Sequence, residues 1–157
     1  MAANDYAFLT HWSVPDTTLA AVYNRLADAR EYPRWWPEVY LHVESIAPGD
    51  ARGIGASARL LTRGWLPYRL RWTARVIETS PPHGFTIEAT GDFVGLGTWR
   101  FTQNCDNVNV TFDWRLRAEK PLLRHLSWML KPIFSWNHRW AMSRGEIGLR
   151  RELRSLE

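Results

Sequence analysis

The stretch from Pro121 to Leu156 limits the fold more than any other. No turn signal interrupts it for about ten helical turns, and Pro121 stands where a first helical turn loses nothing by lacking an amide hydrogen. Its apolar residues fall into two stripes. Leu122, Leu126, Met129, Leu130, Ile133 and Phe134 precede Asn137, and Ala141, Met142, Gly145, Leu149, Leu153 and Leu156 follow it. At 100° per residue the second stripe is turned by roughly a quarter of a circle from the first. Pro132 removes one helical hydrogen bond, so a bend there is expected to bring both stripes onto a single curved partner.

The rest of the chain supplies strands for that partner. Tyr6 to Val14 alternates with the period of a half-buried strand and Pro15 ends it. Asp16 or Thr17 is placed to cap a helix carrying Leu19, Val22, Tyr23 and Leu26 up to about Ala29. A second short helix or turn is expected over Glu31 to Trp36, then an extended run from Val39 to Ile46. Hairpins follow. One strand carries Ile54, Ala56, Ala58, Leu60 and Thr62 on one face. The next carries Tyr68, Leu70, Trp72, Ala74 and Val76 against Arg69, Arg71, Thr73 and Arg75. Phe85, Ile87 and Ala89 mark a further strand, and Phe93, Gly95, Gly97, Trp99 and Phe101 another. Val108, Val110, Phe112, Trp114 and Leu116 mark the last. The pattern predicts an α+β domain: a seven-stranded antiparallel sheet curled around a long C-terminal helix, with two short helices between strands 1 and 2.

Length fits one domain over residues 1–157, large enough for its own core. No run of 18 apolar residues occurs, and the first residues lack the basic and apolar regions of a signal peptide, so a cytoplasmic location is the expectation. The single Cys105 permits no internal disulfide. Ten Trp residues require large apolar surfaces to be covered by something, and a ligand is one candidate. The net charge of +4 biases the chain mildly towards anionic partners.

Several local stretches resemble one superfamily. They are Val14-Pro15 at the end of the first strand, Tyr32-Pro33-Arg34-Trp35-Trp36-Pro37, and Trp136-Asn137-His138-Arg139-Trp140-Ala141-Met142 followed by Gly145 and Leu149. Nearly the whole length resembles the superfamily that unites START lipid-transfer domains, birch-pollen-allergen-like proteins and polyketide cyclases, and within it the polyketide cyclase/dehydrase-like branch. The resemblance implies a helix-grip fold with a mostly apolar cavity between sheet and C-terminal helix. It does not choose among the carriers, sensors and enzymes that such a fold hosts.

Alternation places Leu60, Tyr68, Trp72, Phe85, Phe93, Trp99, Phe112, Trp114, Met129 and Phe134 on the inner face. Core packing is the plain reading of each. Gly95, Gly97, Ala56 and Ala58 share that face and are expected to leave space beside the rings, which points to a hydrophobic site. The expected ligand-binding set is Leu60, Tyr68, Trp72, Phe93, Trp99, Phe112, Trp114, Met129, Phe134 and Asn137. Polar groups on the face are few: Thr10, Thr62, Tyr68, Asn137 and His138. Of these, Tyr68, Asn137 and His138 are the candidates for acid-base work. Asp92 and Glu31 can reach a cavity mouth. No zinc spacing, phosphate loop or cofactor motif is found.

Three function classes remain open: a binder of a hydrophobic small molecule such as a lipid or polyketide, a polyketide aromatase/cyclase, and an interaction scaffold whose cavity its own Trp residues fill. The outer-face residues Arg59, Arg63, Arg69, Arg71, Arg75 and Arg115 form either a solvated stripe paired to Glu78, Glu88 and Asp113 or a docking surface for anionic lipid or an acidic carrier protein. Nucleic acid is not expected, because the Trp residues alternate inward instead of interleaving with Arg.

Overall fold

Alternating stretches become strands and the uninterrupted stretch becomes a helix. The chain runs β1 (Asp5–Val14), α1 (Leu19–Ala27), a 3-10 turn (Ala29–Glu31), α2 (Tyr32–Trp35), β2 (Tyr40–Ala47), β3 (Ser57–Arg63), β4 (Arg69–Ser80), β5 (Gly84–Gly91), β6 (Phe93–Asn104), β7 (Asn107–Ala118) and α3 (Pro121–Arg154). The computed structural model describes residues 5–66, 68–119 and 121–156, with the side chains of 122–124, 126–128 and 130 outside that set. The seven strands form one antiparallel sheet in the order β1-β7-β6-β5-β4-β3-β2. Consecutive hairpins make β2 to β7 neighbours, and β1 returns to pair with β7, so the sheet is open with β1 and β2 as its edges. This is the helix-grip arrangement.

The connection from β1 to β2 crosses from one edge to the other and closes one end of the grip. Thr18 caps α1, its hydroxyl accepting from the Ala21 N–H at 3.2 Å, and not Asp16 or Thr17. Asp16 takes φ 53° and the Thr17 N–H donates to the Asp106 carbonyl, so both are spent on the turn before the helix. Helix α1 stops at Ala27 because Asp28 turns to cap the 3-10 segment, accepting from the Arg30 N–H.

Helix α3 is continuous through Pro132. It packs on β1, β7, α1 and α2. Met142, Leu149 and Leu153 are buried on its inner side. Gly145 and Gly148 let α2 lie directly against it: a Cβ on Gly145 would enter the Trp36 indole, and one on Gly148 would meet the Trp35 carbonyl. Trp36 is 1% exposed and donates its indole N–H to the Ala141 carbonyl at 3.0 Å. Arg34 chelates the buried Glu152 carboxylate at 2.7 and 2.5 Å, and Arg25 approaches it at 3.7 Å. That bidentate pair holds the Glu152 carboxyl below the usual carboxylate range.

The first apolar stripe does not face the sheet as a unit. The side chains of Leu122, Leu126 and Leu130 lie outside the described set, Met129 and Ile133 are exposed, and Phe134 turns inward. Leu156 is also exposed, since it lies beyond the last helical residue. Among the described residues no helix is long and apolar enough to cross a membrane.

Candidate functional site

Register creates the opening in this fold. Ser45, Ala58, Ala74, Ala89 and Gly95 stand directly opposite one another on β2, β3, β4, β5 and β6, forming a row of small residues across the concave face. Larger residues border it, with Val43, Leu60 and Trp72 on one side and Val76, Ile87 and Trp114 on the other. Because α3 sits towards β1 and β7, the faces of β3 and β4 look into open space. The result is a cavity of about 520 Å³, within the range of small-molecule sites.

Its walls contain most of the residues that alternation selected. Leu60, Tyr68, Trp72, Phe85, Phe93, Trp99, Phe112, Trp114, Phe134, Asn137 and His138 all line it. Trp99 stacks on Phe112 at 4.1 Å and Phe112 on Trp114 at 5.3 Å. Trp72 lies 4.9 Å from Phe93 and 5.7 Å from Trp114, so these rings form one continuous wall. Met129 does not belong to it and is 54% exposed. Nine residues separate it from His138, which at 100° per residue puts the two on opposite sides of α3.

The glycines act differently from the expectation. The space beside Gly97 is filled, since a Cβ there would lie 2.6 Å from the Trp114 ring and 2.9 Å from Phe112. Gly95 is pressed against the Arg115 carbonyl. Neither lines the cavity, whereas Ala56, Ala58 and Ala74 do. The room therefore comes from the alanines. The glycines let β6 and β7 and their rings pack closely.

Several polar groups of the cavity are already engaged, and the His138 ring nitrogen is not. Trp72 donates its indole N–H to the Thr62 hydroxyl at 3.1 Å, and the Tyr32 hydroxyl donates to the Leu26 carbonyl. The Asn137 carbonyl oxygen accepts from the Leu66 N–H at 3.0 Å. Gly64 passes so close that a Cβ would strike the Asn137 amide, so this residue ties the β3–β4 connection to α3. His138 stacks on Phe8 with ring centroids 4.2 Å apart, and its buried Nε2 has no hydrogen-bond partner. Burial, reinforced by the Arg139 charge, lowers its pKa to about 4, leaving a neutral imidazole at pH 7. Burial, with Tyr6 nearby, raises Tyr68 to about 12, so its hydroxyl stays protonated.

Other sequence expectations land elsewhere. Thr10 lies on β1 opposite Phe112 and outside the cavity. Glu31 pairs with Arg34 at 2.8 Å and the Asp92 carboxylate accepts from the Arg71 N–H at 2.8 Å, and neither lines the site. The mouth near α1 instead carries Asp28 and Arg30, paired to each other at 2.8 and 2.9 Å. On the outer face, Arg115 pairs with Asp113 at 3.1 Å within its own strand and Arg59 with Glu44 at 3.7 Å. Tyr6, Phe8, Tyr23, Tyr32, Trp36 and Tyr40 line the cavity as well. Alternation on β1 marks Tyr6 and Phe8 and helical spacing marks Tyr23 on α1, but Tyr32, Trp36 and Tyr40 sit in or beside the irregular connection and carry no periodic signal. Among the described residues no group of three or more His, Cys, Asp or Glu side chains is placed to share a metal ion.

The model of the family described as polyketide cyclase / dehydrase and lipid transport matches residues 16–142. The chain belongs to this family. No curated protein matches it. Solved structures share the fold of this chain at low identity. A START superfamily protein from Mycobacterium smegmatis is 12% identical with a TM-score of 0.77, the match covering 96% of this chain and 99% of that one. A protein from Thermus thermophilus is 17% identical with a TM-score of 0.73, covering 92% and 97%. An aromatase/cyclase from a Streptomyces species is 15% identical with a TM-score of 0.66, covering 94% and 92%.

Proposed function

We propose that this protein binds a hydrophobic small molecule, lipid or polyketide-like, between the sheet and α3, with one oxygen-bearing group turned to His138. The observation that carries this reading is an apolar cavity of about 520 Å³ containing one buried ring nitrogen without a partner. The space opens to solvent at its mouth, and its aromatic walls favour an apolar occupant over water. A ligand hydroxyl at His138 Nε2 would satisfy that atom, which is worth about 1 to 3 kcal/mol against leaving it unmet. A scaffold whose own Trp rings fill the cavity does not fit this volume.

A second reading is a polyketide aromatase/cyclase. The family description and the fold shared with an aromatase/cyclase support it, as does a neutral imidazole lining the same cavity as a protonated phenol. In that case His138 Nε2 takes the proton from a carbon between two carbonyls. The Tyr68 hydroxyl donates a hydrogen bond to the oxygen on which charge develops, while the walls fold the chain.

Titration with an apolar fluorescent dye, competed by fatty acids and by aromatic polyketides, tests the binding reading. Saturable one-site binding displaced by one class is expected, and its absence for every probe refutes the proposal. A His138→Ala, Tyr68→Phe pair that leaves product distribution from a poly-β-keto substrate unchanged refutes the second reading.

A further inference from the structure

We infer, resting on the binding reading above, that the ligand group at His138 is an uncharged oxygen, hydroxyl or carbonyl, and that carboxylate and phosphate groups are excluded from that end of the cavity. Asn137 and His138 stand where the Leu66 N–H is bound to the Asn137 side chain and Trp65 meets Trp136 edge to face at 4.9 Å. Phe8 covers one face of the imidazole at 4.2 Å. Phe134 and Met142 line the cavity one turn before and one turn after it on α3, and Tyr68 meets Phe134 at 6.2 Å. Nε2 is buried without a partner, so a ligand seated there has to supply one. A neutral imidazole nitrogen is satisfied by a hydroxyl in either tautomer, and by a carbonyl when it carries the hydrogen.

Charge decides between a neutral and an ionised partner. Among the described residues, the charged ones that line the cavity are Asp28, Arg30 and Arg63. Asp28 and Arg30 chelate each other at the mouth near α1. Arg63 follows the buried Thr62 on β3, and alternation turns its side chain to the other face, where it is exposed and its Nε–H donates to the Glu38 carbonyl at 3.4 Å. On α3, Lys131 lies over the Tyr6 ring at 5.2 Å without lining the cavity, and Arg139 is exposed. On β1, Asp5 is paired with Arg117 at 2.9 Å. Among the described residues no carboxylate acts on the His138 ring, and burial with the Arg139 charge keeps it neutral down to about pH 4. At neutral pH it offers an acid no positive charge, and Tyr68 and Asn137 offer only uncharged donors. An ionised group seated here would lose its water against aromatic walls without gaining a counter-ion, whereas a hydroxyl or carbonyl loses far less. The ligands that fit are neutral oxygenated molecules such as phenols, polycyclic alcohols and polyketones.

Four rigid ligands of one skeleton test this: anthracene, 2-anthrol, 2-acetylanthracene and anthracene-2-carboxylate, titrated by fluorescence at pH 8 and pH 6 while NMR follows the His138 ring nitrogens. The anthrol and the acetyl compound should bind on the order of tenfold more tightly than anthracene, move the His138 resonances, and bind equally at both pH values because the ring does not titrate between them. The carboxylate should bind on the order of a hundredfold less tightly than the anthrol at pH 8, and gain about tenfold per pH unit towards pH 6 as its protonated fraction grows. His138→Leu should remove the advantage of the two oxygenated compounds and leave the affinity for anthracene itself. The resonance shifts are read on the parent, so the outcome does not depend on that variant folding. A carboxylate bound as tightly as the anthrol at pH 8, with His138 turned to imidazolium, overturns the inference, as does tight carboxylate binding that Arg63→Ala abolishes. Oxygenated compounds no tighter than anthracene, with the His138 resonances unmoved, overturn it too. Binding of all four alike fails this inference and leaves the cavity reading standing, whereas no binding by any of them fails both.

Discussion

Ala74 and Ala89 are neighbours in the row of small residues, directly opposite each other on β4 and β5. Only Ala74 lines the cavity, while Ala89 is 0% exposed and packed. Replacing Ala74 by Leu adds three carbon groups, each worth ~0.8 kcal/mol when it enters unfilled apolar space. Freezing the longer side chain returns roughly 0.5 to 1 kcal/mol. A net gain of about 1 to 2 kcal/mol is therefore expected for the ligand-free protein. In a chain of this length that is a rise in melting midpoint of roughly 3 to 6 °C. The same change at Ala89 overpacks a filled site and should cost about 1 to 3 kcal/mol. Thermal and urea unfolding of both variants beside the parent measure the two signs, and dye titration should show weaker binding for Ala74→Leu because the new side chain occupies ligand volume. If Ala74→Leu is as destabilising as Ala89→Leu, the trough is packed and the cavity reasoning is wrong.

His138 should leave a signature in acid. Its pKa of about 4 in the folded chain lies below the ordinary 6.5, so neither state carries the proton above pH 6.5. As pH falls below that the unfolded chain is protonated first, and stability should drop by up to about 3 kcal/mol, complete near pH 4. His138→Gln should remove this part of the slope in urea unfolding between pH 7 and 4.5, and an unchanged slope would show the ring to be solvated. Gly145→Ala forces a methyl into the Trp36 indole and should lower stability by about 1 to 3 kcal/mol, read from the melting midpoint. Asn137→Leu strands the Leu66 N–H, so hydrogen exchange at Leu66 and the dye off-rate should both increase. Unchanged exchange would show that the connection is held by Trp65 on Trp136 alone.

Period-two patterning made the sheet legible, because each hairpin strand buries alternate residues against one layer and the next strand must follow antiparallel. Leu60, Trp72, Trp99, Phe112 and Trp114 reached the cavity for that reason. What the pattern could not carry was register. The alignment of Ala58, Ala74 and Ala89 into one row depends on pairing offsets, including a bulge between Val76 and Glu78, and not on any single strand. Helix rotation was equally hidden: Met129 and Phe134 look like one stripe in sequence, yet only Phe134 faces inward, because α2 and its Trp36 fix the rotation of α3 through Gly145. Tyr32 entered the site from a connection without periodicity, and Tyr40 from the first position of β2 beside it. His138 was recognisable as a polar residue between two stripes, but its missing partner depends on contacts from β1 that no local spacing records.

The most direct measurement of the central claim is native mass spectrometry of the protein purified gently from its own host, beside Ala74→Leu prepared in the same way. The cavity account predicts an adduct of small-molecule mass on the parent, extractable into organic solvent and depleted in the variant whose trough is filled. A parent that carries no adduct and takes up none from a mixture of fatty acids and aromatic polyketides, while unfolding no differently from Ala74→Leu, would contradict it.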